Sequence, residues 1–409
     1  IMVLNFLTSR TSEERDMDYN FDEVIDRSNT ACEKWDAHYL NARFGMTDLT
    51  PMWVADMDFR SPDSVISALS ERVNHGIYGY TFRPDSFLDA ITQWVKKRHQ
   101  WLIKPEWISH SPGVVPGLAM AIRGLTKPGD KILIQSPVYH HFANVIARND
   151  REVVASELLY DNEKYDIDFA HFEACIATGV KLFILCNPHN PVGRVWTRDE
   201  LTTMGNICLR HNVIVIADEI HCDIVFKGSK FTPFASISPD FENNSITCMA
   251  PSKTFNLLGT QTSAIIIPNQ ELRNKYETEL NSLALGNPNP FGVIALETAY
   301  KEGEEWLESL LGYLQHNLDF AVDFFKKYIP KITLVKPEGT YLLWLDCRGL
   351  GLTPYELEQF ILTKAKLALN EGHIFGESGE NFMRMNIGCP KSVLTSALIQ
   401  LKYAVDDLN

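Results

Sequence analysis

The chain has 409 residues, and its 52 Asp and Glu residues outnumber its 38 Lys and Arg residues, which gives a formal net charge of −14 at pH 7. With 45% hydrophobic and 22% charged residues, the composition is that of a globular protein and not of a disordered one. The acidic balance argues against nucleic-acid and membrane partners, because those polyanionic surfaces attract clustered Lys and Arg. No apolar run approaches the roughly 18 residues that a membrane-spanning helix needs.

The eight cysteines are scattered along the chain and no two form a CxxC pair, which predicts reduced thiols and not a disulfide framework. Residues 1–17 lack a basic start, a sustained apolar stretch and a small-residue cleavage site, so we expect no secretory signal. We therefore expect a cytoplasmic protein. At about 150 residues per domain, the length predicts two or three domains.

The first 50 residues show no regular pattern, and we expect them to pack against a C-terminal domain. Apolar, β-branched runs then predict a series of buried strands, and helical patterns such as residues 197–212 lie between several of them. Strand, helix and strand at this spacing favour an α/β fold whose mostly parallel sheet is covered on both faces. The predicted strands are residues 131–137, 152–158, 181–188, 213–219, 245–251 and 263–268.

The last third of the chain has fewer strands and longer helical patterns, such as residues 304–328, which favour a smaller α+β domain. The segment GNPNPFG at residues 286–292 interrupts both patterns, because its Gly, Asn and Pro residues do not continue a helix easily. The sequence therefore predicts an N-terminal segment, a large domain and a small C-terminal domain. Their predicted bounds are residues 1–50, 51–290 and 291–409.

Polar side chains follow three of the predicted strands: Asn190, Asp218 and Lys253. In open α/β sheets, ligands bind beyond the carboxyl ends of the strands. Upstream, Gly113 precedes a predicted helix that has Pro116 in its first turn. The start of such a helix offers free N–H groups and a positive dipole end, which suit a phosphate.

Each of these residues also has an ordinary structural explanation. A Lys is usually a solvated surface residue, an Asp at the end of a strand usually caps a helix, and an Asn beside a Pro usually forms a turn. The joint pattern favours a shared site, because Asn190 and Asp218 are 28 residues apart and Asp218 and Lys253 are 35 apart.

Those residues and spacings resemble the fold-type I pyridoxal-phosphate (PLP) enzymes of the aminotransferase class I/II superfamily. Longer motifs resemble the cystathionine β-lyase and cystalysin group of carbon–sulfur lyases, the MalY/PatB branch, and the resemblance runs from about Asp18 to the end. These motifs are LTPMWVADMDF (49–59), NPHNPVGRVW (187–196), ADEIHCD (217–223) and APSKTFNLLG (250–259). The resemblance implies a PLP-dependent transferase-like fold with a mostly parallel seven-stranded sheet, a PLP cofactor, a small amino-acid substrate and a homodimer with composite active sites.

The resemblance also implies roles for individual residues around the cofactor ring. Lys253 bonds the cofactor aldehyde and later moves the substrate Cα proton, and Asp218 keeps the ring nitrogen protonated. Asn190 binds the ring 3′ oxygen, and Tyr139 stacks on the ring. His221 stands where aminotransferases often carry a Tyr on that oxygen. Lys253, Asp218 and Tyr139 are thus the implied catalytic residues.

The phosphate, by the same resemblance, lies on the N–H groups of Val114 and Val115, with the Ser252 hydroxyl as a donor. Tyr80 matches the tyrosine that reaches the phosphate from the neighbouring subunit. Many fold-type I enzymes carry a phosphate-binding Arg where this chain has Gln261. That departure bears on cofactor affinity and not on the type of reaction.

Arg384, in the motif RMNIG, matches the arginine that clamps the substrate α-carboxylate, with Asn190 beside it. A planar, two-pronged guanidinium suits that role, and a surface Arg is the alternative. Three further residues, Trp53, Asp56 and Tyr341, either contact the substrate or serve only in packing.

Other types of site have less support from the sequence. Residues 218–223 and the pair His140 and His141 offer metal-ligand side chains, but neighbours on a short loop rarely all face one ion and no HExxH is present. We therefore expect no metal. GLTKPGDK (124–131) lacks the Gly-Lys-Ser/Thr ending of a P-loop, and no GxGxxG supports a dinucleotide enzyme.

The lyase-like motifs favour α,β-elimination of L-cystathionine or L-cysteine-type substrates to pyruvate, ammonia and a thiol. One alternative is a PLP-dependent aminotransferase, which begins with the same proton removal by Lys253. A more remote alternative is a regulatory protein of this fold that acts through a protein partner. The intact set of Lys253, Asp218, Asn190 and Arg384 favours a working enzyme.

Overall fold

A computed structural model describes residues 19–161 and 163–408. The expectation about a secretory signal concerns residues 1–17 and lies outside the described residues. The strands, in chain order, are β1 (Thr50–Pro51), β2 (Ile108–Ser111), β3 (Lys131–Ser136), β4 (Glu152–Asp161), β5 (Lys164–Ile167), β6 (Val180–Cys186), β7 (Ile214–Asp218), β8 (Ser245–Met249), β9 (Ser263–Ile266), β10 (Thr333–Val335), β11 (Leu342–Asp346), β12 (Leu367–Ala368), β13 (Asn370–Glu371) and β14 (Phe382–Asn386).

The α-helices, in chain order, are α1 (Ala37–Phe44), α2 (Asp63–His75), α3 (Asp85–His99), α4 (Val114–Leu125), α5 (His141–Arg148), α6 (Phe169–Ile176), α7 (Arg198–Arg210), α8 (Pro239–Asn243), α9 (Pro251–Thr254), α10 (Gln270–Ser282), α11 (Pro290–Glu302), α12 (Glu304–Tyr328), α13 (Pro354–Thr363) and α14 (Lys391–Asp406). Single turns of 3₁₀ helix cover Pro105–Trp107, Phe234–Ile237, Leu258–Thr260, Arg348–Leu350, Gly372–Phe375 and Glu377–Gly379.

The large sheet has the strand order β2-β9-β8-β7-β6-β3-β4-β5. Its centre is parallel, because β4, β3, β6, β7 and β8 all pair in the same direction. Strand β9 runs antiparallel to both of its neighbours, and β5 forms an antiparallel hairpin with β4. The mostly parallel sheet is confirmed, and the β5 hairpin makes it eight strands within the described chain where seven were expected.

The central strands are buried on both faces, as their continuous apolar runs predict. In β6, Phe183 and Leu185 belong to a hydrophobic cluster that includes buried side chains of α6 and α7. The alternate residues Leu182 and Ile184 belong to a second cluster with α4 and α10. Since successive side chains of a strand point to opposite faces, helices cover the sheet on both sides.

The C-terminal region forms a four-stranded antiparallel sheet of order β10-β11-β14-β13, which packs with α12 and α14 in a third cluster. Strand β1 pairs in parallel with β12, so that Thr50 lies opposite Leu367. The end of the N-terminal segment is therefore joined to the C-terminal region, in line with the expected packing. The exact domain bounds, residues 51–290 and 291–409, stay a prediction.

Candidate active site

A cavity of about 210 Å³ lies where the carboxyl ends of β6, β7 and β8 meet the start of α4. Topology explains this position, because parallel strands bring their carboxyl ends to one edge of the sheet. Most of the predicted site residues line the cavity: Val114, Val115, Tyr139, Asn190, Asp218, His221, Ser252 and Lys253.

The start of α4 forms one wall of the cavity. The N–H groups of Val114 and Val115 belong to the first turn of the helix and therefore have no intrahelical partners. Within the described residues no side chain caps this helix either. The Ser111 hydroxyl donates to the Gly113 carbonyl oxygen at 2.7 Å, which holds the turn that leads into the helix. Ser252 lines the same cavity. Free N–H groups at a helix start, with a hydroxyl close by, suit a phosphate.

Asp218 ends strand β7 and is 4% exposed. Burial raises the pKa of its carboxyl group to about 7, although a hydrogen bond from the Ile220 N–H and the nearby Lys253 both act to lower it. A buried carboxylate is costly unless a cation faces it. A protonated ring nitrogen in the cavity would supply that cation.

Lys253 lies on the short helix α9, directly after strand β8. Its Nζ donates a hydrogen bond to the Ala55 carbonyl oxygen at 2.6 Å. Burial and the positive charge of Arg384 lower the pKa of Lys253 to about 8, while Asp56 and Asp218 act in the opposite direction. The amine can therefore lose its proton close to neutral pH, as a group that moves protons needs to do.

Arg384 lies on β14 and is buried. Its Nη1 donates to Asn190 Oδ1 at 3.0 Å, and its Nη2 donates to Asn370 Oδ1 at 2.7 Å and to the Trp53 carbonyl oxygen at 2.9 Å. The guanidinium lies 4.9 Å from the centre of the Phe375 ring. Burial lowers its pKa to about 10, so it stays cationic at neutral pH.

No carboxylate of the described chain forms an ion pair with Arg384, and its Nε has no hydrogen-bond partner there. A buried cation held only by neutral oxygens is poised for an anionic ligand. A planar guanidinium with fixed neighbours suits a carboxylate in particular.

Residues 48–401 match the aminotransferase class I and II family. The chain belongs to this family. One relative of this chain has a name that states its reaction. Cystathionine beta-lyase PatB from Bacillus subtilis is 45% identical over 387 residues, which cover 94% of this chain and 100% of PatB.

Two further proteins are similar to this family member over nearly its whole length. Protein MalY from Escherichia coli is 34% identical and covers 95% of this chain and 99% of its own length. The crystal structure of cystalysin from Treponema denticola, which contains a pyridoxal 5′-phosphate cofactor, matches with a TM-score of 0.92 at 37% identity. That match covers 96% of this chain and 100% of the cystalysin chain.

The side chains of this family member fit a PLP molecule on their own chemistry. The start of α4 offers donors for a phosphate, Asp218 needs a cation, and Lys253 offers an amine that deprotonates near neutrality. Gln261 stands where many fold-type I enzymes carry a phosphate-binding Arg, and it also lines the cavity. A phosphate bound here would therefore meet a neutral amide at this position and not a cation.

Tyr139 and His221 flank the cavity from opposite elements. Burial, Asp218 and Cys186 raise the pKa of the Tyr139 phenol to about 12, against the influence of Arg384. Tyr139 is therefore a neutral hydrogen-bond donor near pH 7. Burial, Lys253 and Arg384 hold the pKa of His221 well below its usual value, so its imidazole is neutral as well.

Two of the predicted site residues are not among those that line the cavity: Arg384, which adjoins it through its hydrogen bond to Asn190, and Tyr80. Tyr80 is fully exposed, in the segment between α2 and α3 that also exposes Ile77, Tyr78 and Phe82. The expectation had placed Tyr80 at the phosphate of a neighbouring subunit, and its exposure agrees with such a role.

Sequence reasoning missed several groups that hold the site together. Asn370 orients Arg384, and the Ala55 carbonyl oxygen accepts from both Lys253 and the Tyr341 hydroxyl, the latter at 2.9 Å. Asn256 binds the main chain of Met57 and Phe59 through its amide group. Asn256 lies within the family motif APSKTFN, so the sequence marked it as a candidate site residue. Asn370 belongs to no such motif, and the sequence offered no signal for it.

One cluster of metal-ligand side chains lies outside the cavity. His99, Cys222 and Asp223 bring their ligand atoms within 4.8 Å of one another. The His99 Nε2 lies 3.0 Å from Asp223 Oδ1, and Asp223 also accepts a hydrogen bond from Thr254 at 2.9 Å. The Trp94 Nε1 donates to Asp223 as well, at 3.3 Å, so that His99, Thr254 and Trp94 account for the contacts of Asp223.

None of the helices formed by the described residues is long and apolar enough to cross a membrane.

Proposed function

We propose that this protein is a PLP-dependent carbon–sulfur β-lyase that converts L-cystathionine or L-cysteine-type substrates to pyruvate, ammonia and a thiol. The observation that carries the proposal is that Lys253 and Asp218 line one cavity and that Arg384 adjoins it through its hydrogen bond to Asn190. The relatives that share this chain over nearly their whole length, PatB and cystalysin, favour elimination over amino-group transfer.

Arg384 binds the substrate α-carboxylate and thereby sets the position of the Cα–H bond. Its planar group is held by Asn190, Asn370 and the Trp53 carbonyl oxygen, so little freedom is lost when the substrate binds. The chain supplies no other buried, unpaired guanidinium at the cavity within the described residues.

Bound PLP supplies an electron sink next to Cα, which makes removal of the Cα proton possible. The free amine of Lys253 accepts that proton, because its pKa of about 8 leaves roughly a tenth of it unprotonated at pH 7 and about half at pH 8. The Cβ–S bond then breaks and the sulfur leaves with the bonding electron pair. Asp218 keeps its negative charge beside the ring nitrogen and so maintains the sink.

Cofactor binding involves both ends of the cavity. The N–H groups of Val114 and Val115 and the hydroxyl of Ser252 would bind the phosphate, and Tyr139 would stack on the ring. Asn190 and His221 would hydrogen-bond the 3′ oxygen. The resemblance to fold-type I enzymes implies these roles, and the place of all six residues in the lining of one cavity supports them.

The active enzyme is a homodimer in which Tyr80 of each chain completes the other chain's site. Exposed apolar side chains at Ile77, Tyr78 and Phe82 surround Tyr80. Contiguous exposed apolar surface of this kind marks an interaction site. The eight free cysteines support a cytoplasmic location, because unpaired thiols persist in reducing compartments.

An assay of three substrates tests this function. Purified protein loaded with PLP is mixed with L-cystathionine, L-cysteine or L-norvaline, which has no leaving group and whose oxo acid is not pyruvate, and pyruvate and transfer of the amino group to an oxo acid are both measured. The lyase releases pyruvate from the two sulfur substrates without an oxo acid. Transfer to the oxo acid without pyruvate release would instead establish an aminotransferase, which has the same requirement for Lys253.

The matched variants for this assay are Lys253→Ala and Lys301→Ala. Lys301 is a half-exposed residue of α11 that pairs with Glu297. Lys253→Ala should lose both pyruvate release and the visible absorbance of the bound cofactor, while Lys301→Ala keeps both. Turnover that survives in Lys253→Ala would contradict the proposal.

A further inference from the structure

Helix α1 carries an arginine onto an aromatic surface beside the cavity. The Arg43 guanidinium lies 4.9 Å from the centre of the Trp53 ring. Tyr39 stacks on the same ring at 5.9 Å, and Phe44 meets it edge-on at 5.4 Å. Trp53 is thus fixed by three residues of one short helix, and Arg43 is fixed against it.

Two separate connections bring Arg43 close to Arg384. The Trp53 carbonyl oxygen accepts a hydrogen bond from Arg384 at 2.9 Å, so the residue that holds Arg43 also holds Arg384. Asn370 binds Arg384, and the next residue, Glu371, faces Arg43 at 3.4 Å. The α-carboxylate clamp and Arg43 are therefore parts of one connected group of side chains.

The positive charges of Arg43 and Arg384 both act on the imidazole of His140. Burial, and after it the charges of His141, Arg384 and Arg43, lower its pKa to about 4. Its ring meets Phe375 edge-on at 5.7 Å, and Arg384 lies over that same phenylalanine. His140 is therefore a neutral imidazole in a region of positive potential.

Three buried donors or potential donors in this group lack partners in the part of the chain that the structure describes: Trp53 Nε1, His140 Nδ1 and Arg384 Nε. A buried polar atom without a partner destabilises the folded state, and such atoms call for a specific explanation. The α-carboxylate of an amino acid accounts for Arg384 alone. The groups of Trp53 and His140 remain for a second acceptor.

We propose that Arg43, Trp53 and His140 form a subsite for a second carboxylate, which selects sulfur amino acids that carry a distal carboxylate, as L-cystathionine does, over those that do not. This inference rests on the proposed function. In the subsite, Arg43 contributes charge, and the indole N–H of Trp53 donates a hydrogen bond. The ion pair of Arg43 with Glu371 is long at 3.4 Å, and the Arg43 side chain is 35% exposed, so the guanidinium is accessible to a substrate.

The charge of Arg43 should appear in substrate affinity and not in the chemical step. Interactions that are equal in the bound substrate and in the transition state change KM and leave kcat as it was. S-propyl-L-cysteine has the same Cβ–S bond but lacks both the distal carboxylate and the distal ammonium of L-cystathionine. Because the loss of a cation weakens the binding of a carboxylate and not of an ammonium, a rise in KM that is confined to L-cystathionine reports on the proposed subsite.

The experiment compares PLP-loaded wild-type protein with Arg43→Gln and Arg43→Lys, using pyruvate release from L-cystathionine and S-propyl-L-cysteine. Arg43→Gln should raise KM for L-cystathionine about fivefold, an effect in the range of a partly exposed ion pair, with KM for S-propyl-L-cysteine unchanged within a factor of about two. Arg43→Lys should restore part of the affinity, since it keeps the charge without the planar group.

The matched control is Arg210→Gln, which removes a half-exposed arginine paired with Glu173 at 2.7 Å at the end of α7. It should change neither KM. Equal KM changes for both substrates in Arg43→Gln, or no change for either, would overturn the subsite while the lyase activity stands. Absence of pyruvate from both substrates in wild-type protein would overturn the proposed function and the subsite with it.

Discussion

Replacement of Asp218 by Asn should stabilise the cofactor-free protein while it weakens cofactor binding. The carboxyl group is almost completely buried, and burial raises its pKa from an ordinary value of 3.8 to about 7. Without the cationic ring nitrogen of the cofactor, Lys253 alone does not offset the burial, so the native state must either protonate this group or hold an unfavourable charge. An amide of the same shape removes that cost.

The size of the effect depends on pH in a defined direction. Below pH 3.8 the carboxyl group is protonated in both the folded and the unfolded chain, so its pKa shift has no cost. Between pH 3.8 and about 7 only the unfolded chain releases the proton, and the free energy of unfolding falls by about 1.4 kcal/mol per pH unit. Above pH 7 the accumulated cost levels off at about 4 kcal/mol.

Urea unfolding of cofactor-free wild-type and Asp218→Asn protein at pH 4.5 and pH 8 measures this difference. The variant should be more stable by about 1 kcal/mol at pH 4.5 and by about 4 kcal/mol at pH 8. Asp89→Asn, an exposed change on α3, is the matched control and should show no such trend. Titration with PLP, followed by visible absorbance, should show weaker binding to Asp218→Asn.

Glu219 also titrates in this region, because burial, and to a smaller degree Asp218, raise its pKa to about 8. Its effect has the same sign, and it occurs in both proteins. The contribution of Asp218 is therefore read from the difference between them. A stability difference between wild-type and Asp218→Asn that stays the same from pH 4.5 to pH 8 would refute the argument from burial.

Three further changes test other parts of the site and fold. The pyruvate-release rate should rise with pH as Lys253, with a pKa of about 8, loses its proton, and Arg384→Gln should move that rise to higher pH because the arginine lowers the pKa. Asn370→Ala removes one hydrogen bond to Arg384 and should raise KM for every amino-acid substrate about tenfold, the equivalent of about 1.4 kcal/mol. Gly193→Ala should lower the free energy of unfolding by about 3 kcal/mol, because φ is +75° and the added Cβ would come within 2.5 Å of a proline side chain. Gly351→Ala, where φ is +70° with open space around the Cβ, should cost only about 1 kcal/mol.

Each of these tests has a result that would contradict it. A pH profile that keeps its position in Arg384→Gln would show that the arginine does not influence the lysine. A change confined to kcat in Asn370→Ala would show that Asn370 does not act through carboxylate binding. Equal thermal and urea stability of the two glycine variants would show that close packing at Gly193 is not limiting.

The sequence by itself determined the elements that depend on local pattern. Continuous apolar runs predicted buried strands, and β6, β7 and β8 lie where those runs are. The residues that follow these strands, Asn190, Asp218 and Lys253, meet at one cavity because parallel strands end at one edge. The family motifs are also local, so the fold and the type of cofactor site were predictable from them.

The strand count and the surroundings of the substrate depended on contacts between distant segments. The apolar run of β4 predicts a single strand. The structure adds β5, which pairs with β4 in an antiparallel hairpin at the edge of the sheet. Arg384 was predicted, but its partners Asn370 and Trp53 come from segments with no shared pattern. A hydrogen bond across hundreds of residues leaves no periodic trace in the chain.

The electrostatics of the protein likewise have one part that the sequence determines and one part that the fold determines. The net charge of −14 is a property of the sequence, yet Lys253 in the cavity and Arg384, which adjoins it, both have lowered pKa values. Those shifts arise from burial, which only the folded chain produces, because local dehydration and close charges outweigh a distant net charge that solvent and salt screen. Composition therefore limited the partners of this protein, and tertiary structure decided the electrostatics of its site.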